Sequence, residues 1–358
     1  MGIIDVKGKW DLEKNTWCYN PSYADYGRSF ALTNYEEIIN NPNKGIDYVI
    51  FAYGCRVEDC SKDFINIKET MCSANKILDY FKKGKKNVVV QIFLMDADAP
   101  IKEDAKLLAG YIDILSAHSK TNSINFIGLS KCGAMSFYIP RYFQKKSSFD
   151  KTNIFSVASP FNGTKMASPK ILNLEIKKFI ISKFGNNKFA DAVYEKVISI
   201  YEGVSSNSHM DYDIAMLGGI PDSKLHLYDE SFIGDMFSNE NIAAIKKIST
   251  YQNLVTGIDD KTMSEALKTL NFAGIGLCVL DDLFFESQSD GFVTTSSQRV
   301  VEQYLDDSGF KSYILTSSHH AVGSNNRVFN EILHIVDDTI DFHNDRAKYR
   351  ARKPSIGR

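Results

Sequence analysis

The stretch Ile124-Asn125-Phe126-Ile127-Gly128-Leu129-Ser130-Lys131-Cys132-Gly133 holds the most informative turn of this chain. Its opening, 124–129 (INFIGL), is a short apolar run of the kind expected for a strand buried on both faces. The residues that follow, 132–144, read as a helix. A strand that turns sharply into a helix holds its turn residue, here Ser130, in a sparsely populated backbone conformation. The two backbones then nearly touch, so residues two places either side must be small. Gly128 meets that demand, Cys132 takes the second small position, and Gly133 beside it is expected to relieve the crowding. The competing reading is an ordinary strand-to-helix turn in which Ser130 caps the helix.

Working outward, 48–52 (YVIFA), 87–94 (NVVVQIFL) and 153–158 (NIFSVA) read as further buried strands, with helical spacing at 64–82 and 103–119. Strands alternating with helices in this way build βαβ units, hence an α/β fold: a mostly parallel central sheet with helices on both faces. The rhythm breaks after Thr164. Residues 165–248 read as helix and loop, amphipathic at 171–184 and 190–201, and form a helical cap or lid insertion. The strand pattern resumes at 250–255 (TYQNLV), followed by an apolar helical stretch at 263–285, a last strand at 312–316 (SYILT) and a closing helix at 327–342. The chain thus divides into an irregular N-terminal extension (1–46), a core (47–164 and 249–343), the insertion (165–248) and a basic C-terminal tail (344–358).

The 358 residues carry a formal net charge of −2, which gives no reason to expect a nucleic-acid partner. Arg346, Lys348, Arg350, Arg352, Lys353 and Arg358 make the tail locally basic. That tail reads as a solvated end, or as a weak handle for an anionic membrane surface, a contact the lid could share. No apolar stretch approaches the ~18 residues that span a bilayer. The first seventeen residues lack the apolar region of a secretory signal. The six cysteines (Cys18, Cys55, Cys60, Cys72, Cys132, Cys278) show neither paired nor metal-ligand spacing, so reduced thiols and a cytoplasmic location are expected, with no metal and no cofactor. Oligomeric state is not legible.

A serine hydroxyl becomes a nucleophile when a base removes its proton and an acid orients that base. On a sheet of this kind the partners follow in the order serine, acid, histidine. Asp290, in Ser289-Asp290-Gly291-Phe292-Val293, fills the acid's place; Asp259 and Asp260, just after the 250–255 strand, are its rivals and read also as a solvated loop pair. His319 and His320 follow the last strand directly, and spacing alone does not separate them. The oxyanion of an acyl-transfer intermediate needs two donors. The backbone N–H of Lys131 is one, and the loop Tyr53-Gly54-Cys55-Arg56 after the first core strand supplies the other, from Gly54 or Cys55.

These segments resemble the bacterial lipases and related esterases of the α/β-hydrolase superfamily. GLSKCG (128–133) is similar to the lipase elbow, and Ala158-Ser159-Pro160-Phe161-Asn162-Gly163-Thr164 to a T-P-H-x-G-T stretch, with Ser159 and Phe161 in place of the threonine and histidine. Ser289 to Val293 with Ser296-Ser297-Gln298 resembles the segment bearing the catalytic acid, and the run from His319 through Val322 to Val328 the histidine loop. The resemblance implies the α/β-hydrolase fold, with Ser130, Asp290 and His319 as the triad and His320 as the alternative. It also places Tyr53, Ser159 and Phe161 near the substrate. Tyr53-Gly54 stands where such lipases show His-Gly, so a different oxyanion loop is implied. Some relatives bind structural Ca²⁺; no ligand set is readable here and none is expected. The expected activity is hydrolysis of small-molecule or lipid esters with apolar acyl groups. Amidase, thioesterase or acyltransferase chemistry on the same triad, or a non-catalytic binding protein of this fold, are the alternatives.

Overall fold

The computed structural model describes residues 9–11, 16–18, 29–31, 45–53, 65–84, 86–93, 101–163, 173–205, 235–257, 289–290, 293–305, 310–317, 322 and 326–352. Three short strands come first: β1 (Lys9–Asp11), β2 (Thr16–Cys18) and β3 (Ser29–Ala31). Then follow β4 (Ile46–Tyr53), α1 (Ile65–Lys83), β5 (Val88–Phe93), α2 (Ile101–Ala117) and β6 (Thr121–Leu129). After β6 come α3 (Lys131–Ser136), a 3₁₀ turn (Ile139–Tyr142), α4 (Lys146–Lys151) and β7 (Thr152–Val157). The insertion carries α5 (Asn173–Phe184), α6 (Lys188–Ser205) and α7 (Asn239–Ile245). The chain closes with β8 (Thr250–Gly257), α8 (Thr295–Arg299), a second 3₁₀ turn (Val300–Gln303), β9 (Phe310–Thr316) and α9 (Asn326–Arg352).

Seven strands form one sheet in the order β3-β5-β4-β6-β7-β8-β9. β3 runs antiparallel to β5 at one edge, and the other pairs are parallel. This is the α/β-hydrolase architecture. The continuous apolar runs of β4, β5 and β6 follow from burial on both faces. Ile46, Tyr48, Ile50 and Ala52 of β4 join one core layer with α2 and α3, while Val49 and Phe51 join the other with α1 and α9. Each of the valine, isoleucine and phenylalanine side chains among them contributes roughly 1.5–3 kcal/mol on burial.

Four stretches differ from the sequence reading. Residues 1–46, expected to be irregular, supply an antiparallel β1–β2 ribbon and the edge strand β3. The helix expected over 132–144 ends at Ser136, because Pro140 has no N–H to return to the Ser136 carbonyl and its ring blocks that turn. Within the insertion, α5 packs against α6, but Met236, Phe237, Ile245 and Ile248 belong to the core layer beneath α3, so the return toward β8 is core. α9 runs ten residues beyond the expected 342. The helix expected at 263–285 lies outside the described residues.

Candidate active site

β6 ends at Leu129, and α3 begins at Lys131. Ser130 between them has φ 59° and ψ −126°. A side chain in that region costs of order 1–3 kcal/mol, and it persists when surrounding bonds over-determine it. Here the Ser130 N–H donates to the Val157 carbonyl at 2.9 Å, and the Ser130 carbonyl accepts from Gly133 N–H at 2.8 Å and Ala134 N–H at 3.2 Å. The residue is thus tied to the neighbouring strand on one side and to its own helix on the other. Its side chain makes no capping bond to α3, which removes the helix-cap reading. The residue is 8% exposed.

The tight approach is real and asymmetric. A Cβ on Gly128 would lie 2.5 Å from the Cys132 carbonyl oxygen and 2.9 Å from Gly133 N. Gly133, beside Cys132, must be small as well. A Cβ at 133 would collide with Ser159 Oγ and sit 2.9 Å from the Gly128 carbonyl oxygen. Cys132 is fully buried and packs in the core. Ser159 is fully buried, its hydroxyl donating to the Val157 carbonyl at 3.2 Å. Phe161 is also fully buried, edge-on to Phe137 at 5.9 Å. Both therefore underpin the elbow. Ala158, the residue after β7, is a second non-glycine residue at positive φ (51°).

Asp290 is fully buried at the same end of the sheet. Its Oδ2 accepts from the Thr256 hydroxyl at 2.7 Å and from Gln298 Nε2 at 3.3 Å, and its Oδ1 accepts from Val293 N–H at 2.8 Å. The Asp290 N–H donates to the Val293 carbonyl at 3.1 Å, closing a tight turn. Thr256 lies near the end of β8 and Ser130 just beyond the end of β6, with β7 between. At ~4.8 Å per strand the serine and the acid stand about two strand spacings apart, room for a group between them. α8 fastens the acid's loop to the loop after β7. Thr294 caps it by accepting from Ser297 N–H at 3.0 Å, and Ser297 Oγ donates to the Gly163 carbonyl at 2.8 Å.

The chain leaves β9 beside this acid. Ser317 N–H donates to the Gly257 carbonyl at 2.9 Å. His319 and His320 come two and three residues later and lie outside the described residues, as do Gly54, Cys55, Asp259 and Asp260. Tyr53, the last residue of β4, is in register with Leu129, so the proposed oxyanion loop starts level with the elbow. Lys131 is the first residue of α3, where backbone N–H groups point out along the helix axis. Its side chain is buried. Ser297 and Gln298 belong to the 296–298 stretch that the sequence pairs with the acid's segment, though their hydrogen bonds are not legible there; Thr256 is signalled only as a polar residue in β8, where a strand buried on both faces should be apolar. Among the described residues no cluster of three or more His, Cys, Asp or Glu could hold a metal ion, and no helix is long and apolar enough to cross a membrane.

No family model matches the chain, and no curated protein does. Solved structures similar to it include the lipase BlEst2 of Bacillus licheniformis (13% identity, 83% of this chain and 93% of that one, TM-score 0.42). A meta-cleavage product hydrolase of Pseudomonas fluorescens is also similar (9%, 82% and 92%, TM-score 0.42). So is an α/β-hydrolase superfamily protein of Enterococcus faecalis (11%, 87% and 94%, TM-score 0.40).

Proposed function

We propose that this α/β-hydrolase-fold chain is a serine hydrolase of carboxylic esters with apolar acyl groups. The observation that carries the reading is Ser130 held at φ 59° over the end of β6, with a buried, hydrogen-bonded Asp290 two strands away. In the proposed mechanism Ser130 Oγ attacks the ester carbonyl carbon while its proton passes to His319, with His320 as the alternative base. The oxyanion is met by the Lys131 N–H and by a second donor from Gly54 or Cys55. His319 then protonates the departing alcohol, leaving an acyl-Ser130 ester. Water, deprotonated by the same imidazole, releases the acid and restores the serine. Asp290 orients the imidazole and stabilises its charged form. β7 ends on the Ser130 side of the sheet, and α5 and α6 follow it in the chain and pack on each other, which supports a role as a cap over an apolar acyl chain.

The test is hydrolysis of p-nitrophenyl esters across acyl lengths, with labelling by a fluorophosphonate probe, for wild type and Ser130→Ala. The variant is expected to lose roughly 10⁴-fold or more in kcat and all labelling. Activity that survives in Ser130→Ala overturns the mechanism. A wild type inert to every ester and to the probe turns the reading to a binding protein. An inert ester panel with labelling intact turns it to amide or thioester chemistry on the same serine.

A further inference from the structure

We infer that Gln298 is a positioning residue for the reaction, holding the Asp290 carboxylate both directly and through Thr256; the inference rests on the serine-hydrolase reading above. β7 and β8 stay in register as far as Val157 and Leu254, and the chain then leaves β7 at Ala158. Thr256 lies two residues beyond that last pair. The Gln298 side chain takes the place that β7 vacates. Its Oε1 accepts from the Thr256 N–H at 2.7 Å, and its Nε2 donates to the Thr256 carbonyl at 3.0 Å. One planar amide thus brackets both main-chain groups of a single residue, as a neighbouring strand would.

The same Nε2 lies 3.3 Å from Asp290 Oδ2 and 3.2 Å from the Val293 carbonyl, across the turn that carries the acid. The bracketed Thr256 points its hydroxyl at the same Oδ2, 2.7 Å away. Gln298 is itself fixed: it is fully buried, and its main-chain carbonyl accepts from Asn253 Nδ2 at 2.8 Å. Asn253 Oδ1 in turn accepts from the Ser156 hydroxyl on β7 at 3.2 Å. The amide is neutral over the whole working pH range, so it offers a donor to a carboxylate without adding a charge that titrates. A catalytic group displaced by about 1 Å loses of order 10²-fold in rate, which sets the scale of what such a bracket protects.

The experiment measures kcat and KM on the best p-nitrophenyl ester for wild type, Gln298→Met, Asp290→Asn and the double variant, each normalised to sites titrated by the fluorophosphonate. Methionine keeps the volume and removes the amide. Gln298→Met is expected to lower kcat about 10- to 100-fold with KM within about 2-fold. In the Asp290→Asn background the same change is expected to cost less than about 3-fold, because the group it positions has lost its charge. Gln298→Glu keeps the length and an oxygen for the Thr256 N–H but sets an acceptor against Oδ2; it is read in the same way where the methionine variant does not fold. An active wild type whose Gln298 variants keep kcat per titrated site, or whose losses multiply with Asp290→Asn, overturns this inference alone. A wild type with neither hydrolysis nor labelling overturns the hydrolase reading and this inference together.

Discussion

At the scale of single residues, the elbow depends on two contacts of different kinds. Gly128 meets backbone, the Cys132 carbonyl and Gly133 N, whereas Gly133 meets mainly the Ser159 side chain. Overpacking a filled core costs typically ~1–3 kcal/mol, more where nothing can move aside. Gly133→Ala is therefore expected to destabilise the protein and to regain much of the loss when combined with Ser159→Gly. Gly128→Ala should not be rescued by that partner. Urea midpoints of the four variants check this, and rescue of Gly128→Ala by Ser159→Gly would show that side-chain crowding dominates both sites. Ser130 itself was legible because a short apolar run, a serine and flanking small residues are all local. The crowding at Gly133 was not, since Ser159 reaches it from another strand end. Gln298 stood in the stretch quoted with the acid's segment, but its bracket on Thr256 was illegible for the same reason: the two lie 42 residues apart in the chain.

At the scale of elements, what the sequence showed and what it hid divide along length and periodicity. β4 to β7 were readable as apolar runs, β8 as the point where the strand pattern resumes, and α9 as a stripe of Phe329, Leu333, Val336 and Ile340. β3 was not, because three residues at an edge carry no pattern. Nor was the last part of α9, where the apolar stripe has ended and charged helix-formers continue alone. The core return of the insertion is held by more than apolar contact. Asp235 takes Arg141 of the first 3₁₀ turn at 2.9 Å and Lys102 of α2 at 2.7 Å, all three side chains part-buried. Burial opposes the charge on Asp235, but its bonds to Lys102 and Arg141 prevail and hold its carboxyl below the usual range. A carboxyl with a lowered folded value contributes stability above its unfolded value and loses it as pH falls. Asp235→Asn is thus expected to cost about 1 kcal/mol at pH 7, and progressively less as pH falls below 4. Equal urea midpoints for variant and parent at pH 7 would count against a structural role for this clasp.

At the scale of the molecule, α9 closes the fold over the start of the sheet. Asn344 Nδ2 donates to Asp47 Oδ2 at 3.1 Å, while the Ser123 hydroxyl donates to Oδ1 at 2.7 Å. Burial nonetheless dominates and raises the Asp47 carboxyl above its ordinary value, with Ser123, Asn344, Asn122 and Lys86 pulling the other way. The folded state then holds this proton more tightly than the unfolded chain does. Its stabilising share is complete below the unfolded value of 3.8 and is lost as pH rises through the folded one. The melting temperature of Asp47→Asn, measured against the parent, should therefore shift in the variant's favour as pH rises above that value. A difference constant with pH would mean that the acid is equally comfortable in both states. The same closure has a meaning for how the protein is made. Val49, Phe51, Leu129, Phe155 and Val157 face a layer completed by Phe329, Ile332, Leu333, Val336 and Ile340 of α9. On the ribosome those strands emerge long before the helix that covers them. For most of its synthesis the nascent chain holds a half-roofed sheet, a surface that holdase chaperones bind and that premature stops upstream of α9 would leave bare for good.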